Sequence, residues 1–265
     1  MKIFPKLTTF GLTSLLAMNL SAYAADDTAK LSAAQVEQVK QVIHDYLVAN
    51  PQVLVEASEA LQQQRENTAL QNAPAAISAK ATQIFADPNS PVAGNPKGDV
   101  TLVEFFDYQC PHCKDMETIV EQLQKADPKL RIVYKELPIF GGASKDASIA
   151  ALAAKQQGDA VYLKFHNALL ANAGALDKDK ILQIAQAAGV NMQQLNQAMN
   201  NEALKQQIDA NFALAQSLQL MGTPTFIIAK WNVDGKDNVV KNPVFLPGVV
   251  TLDNLKAAVD KARSS

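Results

Sequence analysis

The sequence predicts an α/β fold in which a strand–helix–strand unit is followed by a long helical block and then by an antiparallel strand pair. The stretch VTLVEFFDY (100–108) is rich in β-branched and aromatic residues, and a helical pattern separates it from RIVYKELPI (131–139). Helical patterns fill residues 141–220. Two apolar runs near the C terminus, TFIIAK (225–230) and VVKNPVFLPGVV (239–250), then complete the predicted sheet.

The N terminus has the three parts of a secretory signal peptide. Lys2 and Lys6 are basic, the run from 7 to 20 is mostly apolar, and the tripeptide AYA (22–24) has small residues at the spacing of a cleavage site. The apolar run is shorter than the ~20 residues of a membrane-spanning helix. We therefore expect a signal peptide at 1–24, cleavage after Ala24, and a periplasmic protein of 241 residues out of the full 265.

The charge of the chain argues against a nucleic-acid partner. The 24 basic and 26 acidic residues give a formal net charge of −2. The sequence has no cluster of Lys and Arg of the kind that nucleic-acid-binding proteins use to contact phosphates.

Residues 31–72 are predicted to form helices that carry an apolar seam. Asn50-Pro51 breaks the helical pattern, because the residue before proline avoids the helical region. This segment is too small to bury its own seam, so it packs either on the rest of its chain or, as we favour, on the same segment of a second chain in a homodimer. A linker is expected to begin at Asn72. The seam consists of Val36, Val39, Ile43, Tyr46, Leu54, Ala57 and Leu61.

The catalytic half of the chain is expected to follow a regular order. After a loop at 87–98, the strand 100–108 leads to a helix from Pro111 to about Lys125 and to the strand 131–139, which lies parallel to the first. Glycines divide the helical block at 141–220. Asp234-Gly235 indicates a hairpin turn between the last two strands. A final helix begins at Thr251 and runs to about residue 262.

The two cysteines of the chain lie three residues apart in CPHC (110–113), directly after a strand and at the start of a helix. Pro111 suits the first helical position. The unpaired N–H groups and the positive end of the helix favour a thiolate at Cys110, and His112 adds a donor or a partial positive charge nearby. Cys113 lies one turn deeper and is expected to be the buried, resolving thiol. The pattern therefore predicts dithiol redox chemistry.

Other uses of the motif fit less well. Zinc requires four ligands, and one Cys-x-x-Cys supplies two, while His44 and His166 lie in helical stretches without ligand spacing. Covalent haem attachment needs histidine after the second cysteine, where Lys114 stands. We expect no bound metal and no cofactor. A non-enzymatic copper or zinc protein that uses the same thiolates remains the alternative.

Two further elements carry unusual residues. Glu104 interrupts an apolar strand, where burial raises the pKa of a carboxyl group and prepares it for proton exchange with a thiol. Lys135 on the neighbouring strand is its expected partner, and an ordinary ion pair at the sheet edge is the alternative. Pro224, at the entrance to the strand TFIIAK, indicates a special turn that is compatible with a cis peptide bond.

Together these residues resemble a known family. VEFFDYQCPHC, the helical block after the second strand, and Gly-Thr-Pro before the third strand are similar to the DsbA-like branch of the thioredoxin superfamily, over about residues 85–263. The resemblance implies a thioredoxin fold with a helical insertion at about 141–220. It also implies exported thiol–disulfide oxidoreductase activity.

The resemblance also implies roles for individual residues. Cys110 corresponds to the nucleophile and Cys113 to the resolving cysteine, while Glu104 corresponds to the buried acid and Lys135 to its strand partner. Pro224 corresponds to a cis-proline that faces the disulfide. Thr223, whose backbone can pair with an extended substrate strand, and Pro111 are assigned to substrate binding.

The N-terminal region resembles the oligomerisation segment of longer DsbA-like proteins, including the suppressor-of-copper-sensitivity type. We therefore predict three parts: a signal peptide at 1–24, a helical oligomerisation segment and linker at 25–75, and a DsbA-like domain at 76–265. The expected partners are exported client proteins with thiols or disulfides, and a membrane protein that reoxidises or reduces the pair. A dimer with two active sites suits isomerisation as well as oxidation, and the balance between the two activities stays open.

Overall fold

The computed structural model describes residues 31–231, 233 and 240–265, and the chain divides after Ser58 into two units. Helix α1 (Ala33–Ala49) begins at a capping box, in which the Ser32 side chain accepts a hydrogen bond from the amide of Gln35. At its other end, the amide of Asn50 donates to the carbonyl oxygen of Tyr46. The predicted break at Asn50-Pro51 is confirmed, since helix α2 (Gln52–Ala79) begins directly after it.

The predicted linker from Asn72 is wrong. Helix α2 continues to Ala79, with Pro74 inside it, and α3 (Ala81–Phe85) follows almost at once. Burial of Ala73 and Ile77 explains the difference, because tertiary packing of an apolar face outweighs the local cost of one proline. The predicted boundary at 75/76 therefore lies inside a helix, whereas the division between the two units falls after Ser58.

The second unit contains a five-stranded sheet with the order β1-β3-β2-β4-β5. The central strands β2 and β3 are parallel, as predicted, and β4 pairs antiparallel with both β2 and β5. Strand β1 pairs antiparallel with β3 and lies in a stretch expected to be a loop, because three residues are too few to show a period. The strands are β1 (Val92–Gly94), β2 (Val100–Phe106), β3 (Leu130–Glu136), β4 (Thr225–Lys230) and β5 (Val244–Pro247).

The register of the sheet corrects the expected pairing of Glu104 with Lys135. Glu104 lies opposite Tyr134 in the neighbouring strand, and Lys135 lies opposite Phe105. Successive side chains of a strand point to opposite faces, so Glu104 and Lys135 are on different sides of the sheet. The Lys135 ammonium instead lies 2.8 Å from both the Asp87 carboxylate and the carbonyl oxygen of Gln83.

The helices cover both faces of the sheet. Helix α4 (Pro111–Ala126) links the parallel strands, and α10 (Leu252–Arg263), capped by Thr251, follows β5. The expected helical block is confirmed as five helices, and Asn201 caps the last of them. These are α5 (Gly142–Lys155), α6 (Asp159–Leu170), α7 (Lys178–Ala187), α8 (Met192–Ala198) and α9 (Glu202–Ser217).

Strand β2 is buried along its whole length and separates two apolar cores. Leu102 and Phe106 belong to one core, which also contains both cysteines, while Val103 and Phe105 belong to the other. Glu104 therefore faces the core of the cysteines, since it shares its face of the strand with Leu102 and Phe106.

Two predictions lie outside the described residues: the signal peptide at 1–24 and the turn at Asp234-Gly235. Of the helices in the described ranges, none is both long and apolar enough to span a membrane.

Candidate active site

The cysteines lie where β2 leads into α4. Cys110 is the N-cap residue and Pro111 the first residue of the helix, as the sequence predicts. The amides of Cys113 and Lys114 both donate to the Cys110 carbonyl oxygen, at 3.1 and 3.2 Å. Both thiols are free and both residues are buried. The side chain of Cys110 is thus held at the positive end of a helix of 16 residues.

Asp107 holds the loop before the cysteines, and the sequence analysis did not identify it. Its carboxylate accepts hydrogen bonds from the amide of Gln109 at 2.7 Å, the hydroxyl of Ser144 at 2.6 Å and the amide of Phe140 at 3.0 Å. The Asp107 carbonyl also accepts from the Cys110 amide at 3.2 Å. Asp107 follows the last residue of β2, and its carboxylate bonds the backbone amide two residues later in the chain. An aspartate in this position is a recognisable turn signal.

A second loop closes over the nucleophile. The Thr223–Pro224 peptide bond is cis, as the resemblance implied. The Cys110 thiol lies 3.2 Å from the carbonyl oxygen of Thr223, to which it donates. The amide of Gly248 donates to the Pro224 carbonyl at 2.8 Å and so ties this loop to the strand β5 side of the sheet.

The surroundings of Cys110 favour its thiolate. Its pKa is lowered to about 5, chiefly by a hydrogen bond from the Cys113 side chain and further by Thr223 and by the backbone amides of Cys113 and His112, against the opposing effect of burial. The Cys113 thiol and the two backbone amides are donors, and they stabilise negative charge on sulfur. At neutral pH the Cys110 side chain is therefore an anion.

The pKa of Cys113 is shifted in the opposite direction. Burial raises its pKa far above the usual range of a thiol, and the hydrogen bond it gives to Cys110 and the nearby charge of Glu104 raise it further. One thiol of the pair is thus a nucleophile and a good leaving group, and the other keeps its proton until an acceptor takes it.

The position of His112 corrects one expectation. Its side chain is 67% exposed, and its ring Nδ1 lies 3.9 Å from the Asp115 carboxylate. It is the backbone amide of His112, rather than the imidazole, that contributes to the lowered pKa of Cys110. His112 is the second residue of α4, and its side chain points away from the core. The imidazole can therefore contact solvent or a bound polypeptide.

Glu104 is buried on the side of the sheet that carries the cysteines, and its Oε2 atom has no hydrogen-bond partner among the described residues. Burial raises its pKa well above the usual value, and the charge of Glu117 adds to the effect. Because Glu104 also acts on the pKa of Cys113, the two groups are close enough to interact electrostatically. Lys135 is not brought to this site, since it points to the opposite face with Asp87.

The structure adds a polar cluster that the sequence analysis missed. Glu117, one turn after Cys113 on α4, lies 3.5 Å from the ring Nε2 of His166, which is fully buried on α6. No local pattern marks His166 for this position, because the tertiary fold alone brings α6 against α4. The other members are Tyr108, Tyr134, Tyr162 and Glu136.

No group of three or more histidine, cysteine or acidic side chains within the described ranges is arranged to hold a metal ion. The donor set at the cysteines is two thiols without a histidine or carboxylate completing a coordination shell. The metal-binding alternative is therefore not favoured.

Comparison with known proteins identifies the family. Residues 101–260 match the DSBA-like thioredoxin domain, and residues 35–67 match the N-terminal domain described as that of copper resistance protein ScsC. A thioredoxin-like oxidoreductase from Silicibacter pomeroyi is 42% identical, with a TM-score of 0.61 over 69% of this chain and 98% of its own. BcfH from Salmonella enterica Typhimurium is 33% identical, with a TM-score of 0.64 over 87% of this chain and 96% of its own.

A protein of Rickettsia conorii named as a protein-disulfide oxidoreductase is 29% identical over 71% of this chain, and the match spans 65% of that relative's length. The DSBA match covers more than half of this chain and contains CPHC, Glu104 and the cis-proline loop. Residues 35–67, within the N-terminal helices, are similar to the ScsC N-terminal domain, and the chain as a whole belongs to the DSBA-like thioredoxin domain family.

Proposed function

We propose that the protein catalyses thiol–disulfide exchange in exported polypeptides through Cys110 and Cys113. The observation that carries this proposal is the opposite ionisation of the two thiols: the pKa of Cys110 is lowered to about 5, and that of Cys113 is raised. A nucleophile that is already ionised, beside a protonated second thiol, has the chemistry that exchange needs.

In the oxidising direction, a client thiolate attacks Cys110 in the Cys110–Cys113 disulfide. The bond between the two cysteines breaks, and a mixed disulfide forms between the client and Cys110. Cys113 leaves with the electron pair and takes up a proton. A second client thiolate then attacks the client sulfur and releases the Cys110 thiolate, so that two electrons pass from the client to the protein.

In the isomerising direction, the Cys110 thiolate attacks a client disulfide and forms the same mixed disulfide. The released client thiolate attacks another disulfide of the client, and the thiolate freed there attacks the client sulfur bonded to Cys110 and releases the Cys110 thiolate. Alternatively, Cys113 loses its proton and displaces the client from Cys110, which leaves the client reduced and forms the Cys110–Cys113 disulfide. The proposal assigns Glu104 as the acceptor of that proton. Its burial on the side of the sheet that carries the cysteines and its effect on the pKa of Cys113 support this role.

The client is proposed to contact the surface formed by Thr223, Pro111 and the exposed His112. The Thr223 carbonyl lies beside the Cys110 sulfur, which is where the backbone of a polypeptide joined to that sulfur has to pass. Because DsbA- and ScsC-like relatives are periplasmic, we propose the same location, with a signal peptide cleaved after Ala24. A membrane redox protein is the proposed source of oxidising or reducing equivalents.

We also propose that the chain is a homodimer through its N-terminal helices. Helix α1 has no buried residue in the single chain, and its apolar side chains are exposed. An uncovered apolar seam of this kind marks an association surface. The exposed residues are Val36, Val39, Val42, Ile43, Tyr46 and Val48.

The activity test uses the mature protein in two assays: reduction of insulin and refolding of scrambled ribonuclease. Both are expected to proceed with the wild type and to stop with Cys110→Ser. Cys113→Ser is expected to accumulate mixed disulfides, because the resolving thiol is missing. Wild-type protein that is inactive in both assays contradicts the proposal. Stoichiometric copper or zinc binding that is lost in Cys113→Ala would favour the metal-binding alternative.

The dimer test is light scattering on a protein that lacks residues 25–58. The deletion stops at the division between the two units, because Ala69, Ala73 and Ile77 are buried in the second unit and a longer deletion would expose its core. The shortened protein is expected to be a monomer with normal insulin reduction and impaired ribonuclease refolding. If it keeps the mass of the full mature protein, the seam is not the association surface.

A further inference from the structure

Asp107 forms a tight turn that ends at the nucleophile. Its carbonyl oxygen accepts a hydrogen bond from the Cys110 amide at 3.2 Å, which closes a turn of four residues. Its Oδ1 atom accepts from the amide of Gln109 at 2.7 Å, so the main chain and the side chain of one residue stabilise the same turn. Because Cys110 is also the N-cap of α4, this turn sets how the helix begins.

Helix α5 and the loop before it hold the Asp107 carboxylate. Its Oδ1 atom accepts from the Ser144 hydroxyl at 2.6 Å, and its Oδ2 atom accepts from the Phe140 amide at 3.0 Å. The Ser144 oxygen in turn accepts from the Gln109 side-chain amide at 3.2 Å. Asp107, Gln109 and Ser144 therefore form a closed ring of hydrogen bonds beside the cysteines.

The Asp107 side chain is fully buried, and a buried carboxylate is costly unless hydrogen bonds replace its water. Two main-chain amides and one hydroxyl replace that water here. Each of these three donors belongs either to the turn or to the segment that leads into the insertion. The position of the carboxylate and the position of the turn are therefore fixed together.

The turn decides where the Cys110 sulfur lies. The amides of Cys113 and Lys114 donate to the Cys110 carbonyl oxygen, so the main chain of Cys110 is bonded on both of its sides. Its sulfur lies 3.2 Å from the Thr223 carbonyl oxygen and close to the amides that stabilise its thiolate. Hydrogen bonds weaken steeply when their angle or distance changes, so a loosened turn would cost the thiolate part of this stabilisation.

We propose that Asp107 is a positioning residue for thiol–disulfide exchange: through the hydrogen bonds to its Oδ1 atom it fixes the turn 107–110, and with it the sulfur of Cys110 at the start of α4. The inference rests on the proposed function, because the sulfur that it positions is the one that exchanges. Asp107 acts through the main chain of Cys110 and takes no part in the breaking or forming of bonds.

Positioning and charge predict opposite changes when Asp107 is replaced. A negative charge near a thiolate disfavours it, so loss of that charge alone lowers the pKa of Cys110. Loss of the turn weakens the donors to the thiolate and raises the pKa above about 5. Asp107→Ala removes the charge and the turn contacts together. Asp107→Asn removes the charge but keeps an oxygen for the Gln109 amide and the Ser144 hydroxyl, so the two variants separate the causes.

The experiment measures the pH midpoint of Cys110 alkylation by iodoacetamide in the reduced full mature protein. The midpoint is expected to rise by about one unit in Asp107→Ala and to stay within ~0.3 units of the wild type in Asp107→Asn.

The redox equilibrium with glutathione is a second readout. The protein disulfide and two glutathione thiols give the protein dithiol and one glutathione disulfide, so two electrons and two protons pass to the protein. Asp107→Ala is expected to shift this equilibrium about tenfold toward the oxidised protein, which corresponds to ~30 mV.

Asp177→Ala is the matched control. Asp177 also accepts from a main-chain amide, that of Lys180 at 2.7 Å, but it is exposed and caps α7. Its variant is expected to keep the wild-type midpoint. An unchanged midpoint in a folded Asp107→Ala indicates a purely structural role, and a lowered midpoint indicates a charge effect. Either result overturns the inference, as does an equal rise in Asp107→Ala and Asp107→Asn.

Two measurements cover the case in which Asp107→Ala does not fold. Ser144→Ala removes one donor from Oδ1 and leaves the Asp107 charge in place, so a smaller rise of the midpoint is expected. In the wild type, the Gln109 amide is expected to be protected from hydrogen exchange. An unchanged midpoint in Ser144→Ala, or an unprotected Gln109 amide, overturns the inference. Failure of the wild type in insulin reduction instead overturns the proposed function, and the alkylation midpoints are measured independently of that assay.

Discussion

The sulfur of Cys110 lies 3.2 Å from the carbonyl oxygen of Thr223, a residue 113 positions later in the chain. This contact joins the helix that carries the nucleophile to the loop that leads into β4. It places the backbone of the half-buried Thr223 beside the only sulfur of the pair that is ionised at neutral pH.

Alkylation of Cys110 by iodoacetamide is expected to follow its thiolate. With a pKa of about 5, the rate rises about tenfold per pH unit below that value and is level above about pH 6. Cys113→Ala removes the largest stabilising hydrogen bond and moves the midpoint to higher pH. In denaturant, the midpoint is expected to return to ~8.5. A native midpoint near the denatured one contradicts the assignment.

The lowered pKa of Cys110 also predicts how the stability of the reduced protein depends on pH. Between about 5 and the unfolded value of ~8.5, the unfolded chain binds one more proton at this site than the native chain. The stabilisation is present at the alkaline end of this window and is lost as the pH falls through about 5. Urea unfolding is expected to show a contribution of up to ~1.4 kcal/mol per pH unit, absent in Cys110→Ala.

Glu104→Gln is expected to raise the stability of the protein and to slow its thiol–disulfide exchange. The raised pKa of Glu104 means that its contribution to stability is present below the unfolded value of ~4.3 and is lost as the pH rises through the folded value. The variant should therefore gain about 1–3 kcal/mol over the wild type at neutral pH and much less near pH 4. Release of a mixed disulfide by Cys113 is expected to slow, because the proton acceptor is missing.

Lys135→Met tests the corrected position of this lysine. The substitution breaks the 2.8 Å ion pair with Asp87, which is largely shielded from water, and is expected to cost about 1–3 kcal/mol in urea unfolding. The pH profile of Cys110 alkylation is expected to be unchanged, since Lys135 lies on the opposite face of the sheet. Lys125→Met, at an exposed ion pair, is the matched control for stability. A shift in the pH midpoint of Cys110 alkylation would show that Lys135 acts on Cys110 and would contradict its placement away from the cysteines.

Local patterns predicted the elements that carry the chemistry. Cys110 at the N-cap, Pro111 in the first turn, the parallel strands and the helical block were all recognisable, because capping residues, β-branched runs and helical periodicity act over a few residues. The short strand β1 and the continuous helix through Pro74 were not, because three residues carry no period and the burial of Ala73 and Ile77 is a long-range effect.

The sequence by itself predicted which thiol is the nucleophile, since Cys110 stands at the helix start and Cys113 one turn inside, and it determined the α/β fold around them. Only the tertiary structure decided which charges surround the pair. The register of β2 and β3 sets Tyr134, not Lys135, opposite Glu104, and the packing of α6 brings His166 to Glu117. Strand register and helix packing join residues that are distant in the chain, and no local pattern encodes which face of a buried strand meets which helix.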